Sequence, residues 1–326
     1  MGVFGPQARC REPTLPFEHA YSLAYRRRMM NTLFRGTAPA LVTPFTVDGA
    51  VDEEALRRLI DRQIDGGVEA LVILGTTGEN ATIWPDERRR LVEVSLAHTD
   101  GRVPVVVGTG NNSTSESIVF SREAAAAGAD GLLVVGPYYN KPPQAGFYAH
   151  VAAIAEATDC PILLYNVPGR TGFNCKAETT LRIAEAIPTV VGVKEASGDL
   201  AQISDILAHR PEHLAVYAGD DEMAFPLIAL GADGVVSVVS NVVPDLFSSL
   251  VRAGLAGDYA EARRLHFQLL PAMRACFFET NPIPAKTMLA AMGLIEPALR
   301  LPLVPMEPGT RQRMFAAFAD LVEVQV

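Results

Sequence analysis

The chain has 326 residues, 49% of them hydrophobic and 20% charged, with a net charge of −9. That length suits one large α/β unit, since barrels of this class commonly reach about 250 residues. Apolar runs fall short of the roughly 18 residues that cross a bilayer, and an acidic chain lacks the clustered Lys and Arg of a nucleic-acid binder, so neither membrane nor nucleic acid is expected and a small molecule is.

Residues 1–31 show no periodicity and end near the basic cluster Arg26 to Arg28. Without a short apolar h-region they do not read as a secretory signal. They are expected to be a flexible extension or an artefact of cloning or of start-site choice, with Met29 or Met30 as the true start. The four cysteines, Cys10, Cys160, Cys175 and Cys276, are scattered without Cys-x-x-Cys spacing, which suggests a reducing cytoplasm.

From there short apolar runs alternate with longer amphipathic stretches. Strands are expected over 37–45, 70–75, 103–108, 131–136, 161–165, 190–194, 215–218 and 234–239, and helices over 52–65, 85–98, 114–127, 147–158, 177–187, 200–208, 222–230 and 244–253. The helical stretches carry apolar residues at three-to-four spacing. Eight strand–helix repeats close naturally into a (β/α)8 TIM barrel, here over 32–255. A doubly wound sheet fits less well, because no Gly-x-Gly-x-x-Gly follows the first strand. The Pro-broken remainder, 256–326, is expected to be a C-terminal helical appendage.

Chemistry in such a barrel belongs where strands run into βα loops. The sixth strand ends at Lys194, in the run Val190 to Asp199. Burial disfavours an ammonium, and a neutral amine is a nucleophile near neutral pH; the plainer alternative is a salt bridge at a strand end. The second strand runs into Gly75-Thr76-Thr77-Gly78-Glu79, whose N–H groups and hydroxyls suit a small carboxylate or merely cap the next helix. Tyr165, ending the fifth strand, could move a proton with Thr76 and Tyr139 as hydroxyl partners, although buried phenols more often satisfy a local acceptor. Arg170 offers a fork of donors for a second carboxylate, although loop arginines are usually solvated. The six histidines, His19, His98, His150, His209, His213 and His266, avoid the strand ends, so no metal site is expected. An imine on a neutral lysine would then be the electron sink that activates a 2-oxo acid.

Six stretches carry a specific resemblance: GTTGE at Gly75–Glu79, PYYN at Pro137–Asn140, YNVPGRTG at Tyr165–Gly172, GVKEASG at Gly192–Gly198, AGDD at Ala218–Asp221 and NPIPAK at Asn281–Lys286. In this order and spacing the chain resembles the dihydrodipicolinate synthases, also called 4-hydroxy-tetrahydrodipicolinate synthases, from about residue 32 to the neighbourhood of residue 305. The resemblance implies a lyase of the lysine and diaminopimelate pathway that condenses pyruvate with aspartate 4-semialdehyde and needs no cofactor beyond a covalent pyruvate imine.

By the same resemblance Lys194 forms the imine, Tyr165 relays protons, and Thr76 and Tyr139 complete a hydroxyl triad. Thr76 and Thr77 would hold the pyruvate carboxylate and Arg170 that of the semialdehyde, with the carbonyls of Gly219 and Val236 lining the pocket. It further implies a homo-oligomer, a tetramer of tight dimers, with Tyr139 entering the neighbouring subunit's site. Positions matching a lysine effector site are Asn80, Ala81, Pro85, Arg88, Asn112, Glu116 and Tyr138. Pro85 lacks a polar side chain and Arg88 adds a positive charge near a cationic ligand, so lysine is expected to inhibit weakly or not at all. N-acetylneuraminate lyase and the 2-keto-3-deoxygluconate aldolases share the Lys and Tyr but usually lack the arginine. A paralogue acting on another aldehyde, or a silent keto-acid sensor, are the alternatives.

Overall fold

The computed structural model describes residues 32–323. The expected extension over 1–31 lies outside the described residues. Eight strands form one parallel sheet: β1 (Gly36–Pro39), β2 (Leu71–Ile73), β3 (Val105–Gly108), β4 (Gly131–Val135), β5 (Ile162–Asn166), β6 (Val190–Glu195), β7 (Ala215–Ala218) and β8 (Gly234–Ser237). The order runs β1-β8-β7-β6-β5-β4-β3-β2. The ring closes where Ala40 bridges Val72 in parallel and the Leu41 N–H donates to the Val72 carbonyl at 2.8 Å. Gly234, at φ +157, permits the close approach of β8 to β1, since a Cβ there would stand 2.0 Å from the Gly36 carbonyl oxygen.

The outer helices are α1 (Glu53–Asp65), α2 (Pro85–Thr99), α3 (Thr114–Ala127), α4 (Gln144–Ala155), α5 (Ala177–Ala186), α6 (Leu200–His209), α7 (Ala224–Ala229) and α8 (Pro244–Leu255). The first shows the local logic. Asp52 caps it by accepting from the Ala55 N–H at 2.8 Å, Glu53 and Glu54 meet the positive end of the dipole, and Arg62 lies in the last turn. Its buried face, Ala55, Leu56, Leu59 and Ile60, follows the helical repeat, each large side chain contributing about 1.5–3 kcal/mol by burial. Beyond the barrel lie α9 (Tyr259–Ala275), α10 (Ile283–Ala291) and α11 (Pro308–Phe318). Met273, Leu289 and Phe318 from these helices join the same buried cluster as Phe247 of α8.

Three elements depart from the sequence reading. The first strand ends at Pro39 rather than near 45: past the Ala40 and Leu41 N–H groups, which still donate to Ser237 and Val72, the Val42 N–H turns to the Asn241 side chain, Pro44 has no N–H to give, and Phe45 pairs instead with Val51 in an antiparallel bridge. Helix α4 starts directly after Pro142-Pro143, earlier than expected. The seventh helical stretch splits into a 3-10 turn, Asp221–Met223, and the short α7.

Inside the barrel sits a separate apolar cluster that includes Ala38, Val72, Val106, Leu133, Leu163 and Val236. Tyr217 plugs its lower part, stacked on Phe34 with centroids 4.2 Å apart and donating its hydroxyl to the Phe34 carbonyl at 2.7 Å. Asn241 locks the seam between the ends of β1 and β8. Its side chain accepts from the Val42 N–H at 3.1 Å and donates to the carbonyls of Ala40 at 2.9 Å and Val238 at 3.0 Å. Asn241→Ala leaves buried backbone groups without partners and is expected to remove about 2–4 kcal/mol of stability. Denaturant unfolding checks this, the midpoint falling with an unchanged slope.

Candidate active site

Side chains on a strand alternate between its two faces, and β5 and β6 pair in register as Tyr165 with Lys194 and Asn166 with Glu195. The first pair faces the barrel interior and the second faces outward. Lys194 is 5% exposed, with its Nζ 4.1 Å from the centre of the Tyr165 ring. Among the described residues no carboxylate pairs with it, so the salt-bridge reading of this lysine is not met. On the outer side the Asn166 amide donates to the two Glu195 oxygens at 2.9 and 3.2 Å, and the Ser197 N–H donates to Glu195 at 3.0 Å. Burial raises the Glu195 carboxyl above its ordinary range, opposed by hydrogen bonds from Ser197, Asn166 and Gln202.

Gly219 follows β7 beside the lysine. A Cβ there would lie 2.6 Å from that of Ala196 and 3.2 Å from Lys194 Cε, so a side chain at this position would displace the amine. Val236 is fully buried in the inner cluster. The exit of β8 is fixed by Asp221, whose enclosed carboxylate accepts from the N–H groups of Val238 at 3.1 Å and Val239 at 2.8 Å. Burial pushes that carboxyl up to about 6.

The loop after β2 folds tightly, the Gly78 N–H donating to the Gly75 carbonyl and the Glu79 N–H to that of Thr76, both at 3.1 Å. Thr76 lines a cavity of about 240 Å³ together with Ala81, Tyr138, Tyr165 and Arg170. Arg170 stands on the single helical turn Pro168–Thr171 and donates to the Asn281 carbonyl at 3.1 Å. Thr77 is buried and accepts from the Asn281 amide at 2.9 Å. Tyr139 is 89% exposed, at a left-handed φ of 67, and within one chain it does not line this cavity. A larger cavity, about 540 Å³, is lined by Arg35 and Asp233 at the amino ends of β1 and β8, the face opposite to these strand-end groups. Among the described residues no cluster of three or more His, Cys, Asp or Glu is brought together.

The effector positions separate. Asn80 and Ala81 line the cavity beside Tyr138, and burial raises the Tyr138 phenol, opposed by a bond with the Asn112 backbone and reinforced by the charge of Glu116. Arg88 departs from expectation. It is buried, its guanidinium donating to the Gly108 carbonyl and lying 4.3 Å above the Phe120 ring. Its place on the inner face of α2 turns it toward β3, and burial lowers it to about 10.

Sequence reasoning missed the part played by the appendage. Lys286 donates to Glu79 Oε1 at 2.6 Å, both side chains being 2% exposed, with its Nζ 4.1 Å from the Phe45 ring centre. A lysine within the otherwise apolar stretch of α10 was the available signal.

Residues 33–320 match the model of the Dihydrodipicolinate synthetase family. A 4-hydroxy-tetrahydrodipicolinate synthase of Salinibacter ruber is 64% identical over 296 residues, covering 90% of this chain and 98% of the relative. One from Pelobacter propionicus is 50% identical over 284 residues, covering 87% and 97%. Among solved structures, dihydrodipicolinate synthase from Aquifex aeolicus superimposes with a TM-score of 0.86 at 40% identity, covering 88% and 98%. That from Thermotoga maritima gives 0.87 at 45% identity, with the same coverage.

Proposed function

The chain belongs to the dihydrodipicolinate synthetase family, and on that premise we propose that it condenses pyruvate with L-aspartate 4-semialdehyde to 4-hydroxy-tetrahydrodipicolinate. The observation that carries the reading is a buried lysine without an acidic partner among the described residues, in register with a buried tyrosine.

Neutral Lys194 attacks the C2 carbonyl of pyruvate, and loss of water from the carbinolamine gives the imine. Protonated, the imine draws electrons from C3, which sheds a proton to form the enamine. Tyr165 carries protons in these steps with Thr76 and with Tyr139 of a neighbouring copy. The loop of Thr76 and Thr77 holds the pyruvate carboxylate. Arg170 holds the semialdehyde by its carboxylate while the enamine carbon attacks the aldehyde. The amine of the bound semialdehyde then adds to the imine carbon and displaces Lys194, closing the ring. The location of Arg170 on the cavity wall favours a carboxylate-bearing aldehyde over a neutral one.

Pyruvate followed by borohydride is expected to add a reduced adduct at Lys194 in the intact-mass spectrum and none in Lys194→Ala; an unchanged wild-type mass rejects the imine. Arg170→Ala is expected to keep the adduct while losing about 10- to 100-fold in kcat/KM for the semialdehyde, the worth of one charge-assisted bond. Equal losses in both half-reactions reject the role of Arg170.

The working unit is proposed to be a homo-oligomer, a tetramer of tight dimers, because Tyr139 stands outside its own cavity and a second copy can use it. Sedimentation at assay concentration checks this, and a fully active monomer contradicts it. Lysine is proposed to inhibit weakly or not at all, now because Pro85 offers no polar side chain and Arg88 is committed to the Gly108 carbonyl. Half-inhibition of the initial rate below about 1 mM, roughly −4 kcal/mol of binding, overturns that proposal.

A further inference from the structure

The motif Asn281–Lys286 is left without a task by the reaction as written, although it meets both substrate-holding elements. Asn281 is 5% exposed and stands just before α10, far along the chain from both groups it touches. Its side-chain amide donates to Thr77 Oγ1 at 2.9 Å, and its backbone carbonyl accepts from Arg170 Nη2 at 3.1 Å. One residue therefore contacts the loop assigned to the pyruvate carboxylate and the guanidinium assigned to the semialdehyde carboxylate. A hydroxyl has a single proton to give. By accepting from Asn281, Thr77 keeps its own proton for a carboxylate oxygen. The Arg170 fork, with one N–H engaged by a fixed carbonyl, keeps its remaining donors aimed.

The neighbouring ion pair secures the far end of the same loop. Glu79 sits at a left-handed φ of 54. One carboxylate oxygen accepts from Lys286 at 2.6 Å and the other from the Arg300 N–H at 3.2 Å. Its own N–H donates to the Thr76 carbonyl at 3.1 Å. Displacement of this carboxylate shifts the turn that carries both threonines.

We propose that Asn281 is a positioning residue shared by the two carboxylate sites, and that the Glu79–Lys286 pair positions the threonine loop alone. The inference rests on the roles given above to Thr77 and Arg170. It assigns to the C-terminal segment a share in substrate binding for both halves of the reaction.

Steady-state kinetics with each substrate varied, alongside borohydride trapping at saturating pyruvate, test the proposal. Asn281→Ala removes the side-chain amide that meets Thr77 but keeps the backbone carbonyl that holds Arg170; it is expected to raise KM for pyruvate about tenfold, the worth of a lost hydrogen bond, with KM for the semialdehyde and kcat less affected and trapping complete. Asn281→Asp has nearly the same shape but no N–H to give and a negative charge beside both carboxylates. It is expected to bind both substrates more weakly than Asn281→Ala, an order that an anchor for packing alone would not produce. The double variant Glu79→Gln/Lys286→Met removes both charges together and so avoids stranding one of them. It is expected to raise KM for pyruvate while leaving that for the semialdehyde near wild type, which keeps the proposal testable if the Asn281 variants fail to fold. Unchanged KM for pyruvate in folded Asn281→Ala, a semialdehyde KM in folded Asn281→Asp no higher than in Asn281→Ala, or a wild-type pyruvate KM in the folded double variant overturns it. Absence of trapping in the wild-type enzyme instead defeats the imine reading on which the roles of Thr77 and Arg170 rest.

Discussion

Tyr165 and Lys194 meet inside the barrel because β5 and β6 run in register and their side chains alternate between two faces. The same alternation sends Asn166 and Glu195 outward, where their hydrogen bonds hold the strands at that register. A slip of one residue would exchange the inner and outer pairs, placing a carboxylate and an amide where an amine and a phenol are needed. The apolar interior around Lys194 and the space left by Gly219 give that register its chemical value. The amine is withdrawn from water, lies against an aromatic face and is free of an acidic partner among the described residues.

Much of this was legible in the sequence. Short apolar runs between turn residues gave the strands, and the break after Lys194 marked where chemistry begins. The resemblance of six motifs supplied roles that periodicity cannot. The first strand was drawn too long because its apolar run continues past Pro39, while backbone donors decide where a ladder stops. The inward turn of Arg88 was not legible, because a motif fixes its position on a helix but not the direction of its side chain, which here follows an inward carbonyl and an aromatic ring. The appendage was undervalued for a related reason. Its contacts with the site through Asn281 and Lys286 join residues 111 to 207 positions apart, and no local pattern reports such a distance.

The two elements proposed to hold the substrate carboxylates are unlike in build. The threonine loop is held on several sides, by its own turn, by Asn281 and by the enclosed Glu79–Lys286 pair, as suits a site that must fix one small keto acid against a nearby amine. Arg170 is exposed on a short helical turn with one side-chain tether among the described residues, the Asn281 carbonyl. That single contact aims the fork, where the loop is fixed from several sides. Tyr139 extends the contrast, since its side chain is exposed and stands outside this cavity.

The location of Asn281 and Lys286 also orders events during synthesis of the chain. A ribosome that has polymerised through Ser237 has made all eight strands before the partners of Thr77 and Glu79 exist. Until α10 emerges, the nascent barrel carries Lys194 with an unsecured threonine loop. A message truncated in that interval encodes all eight strands without the residues that hold the threonine loop.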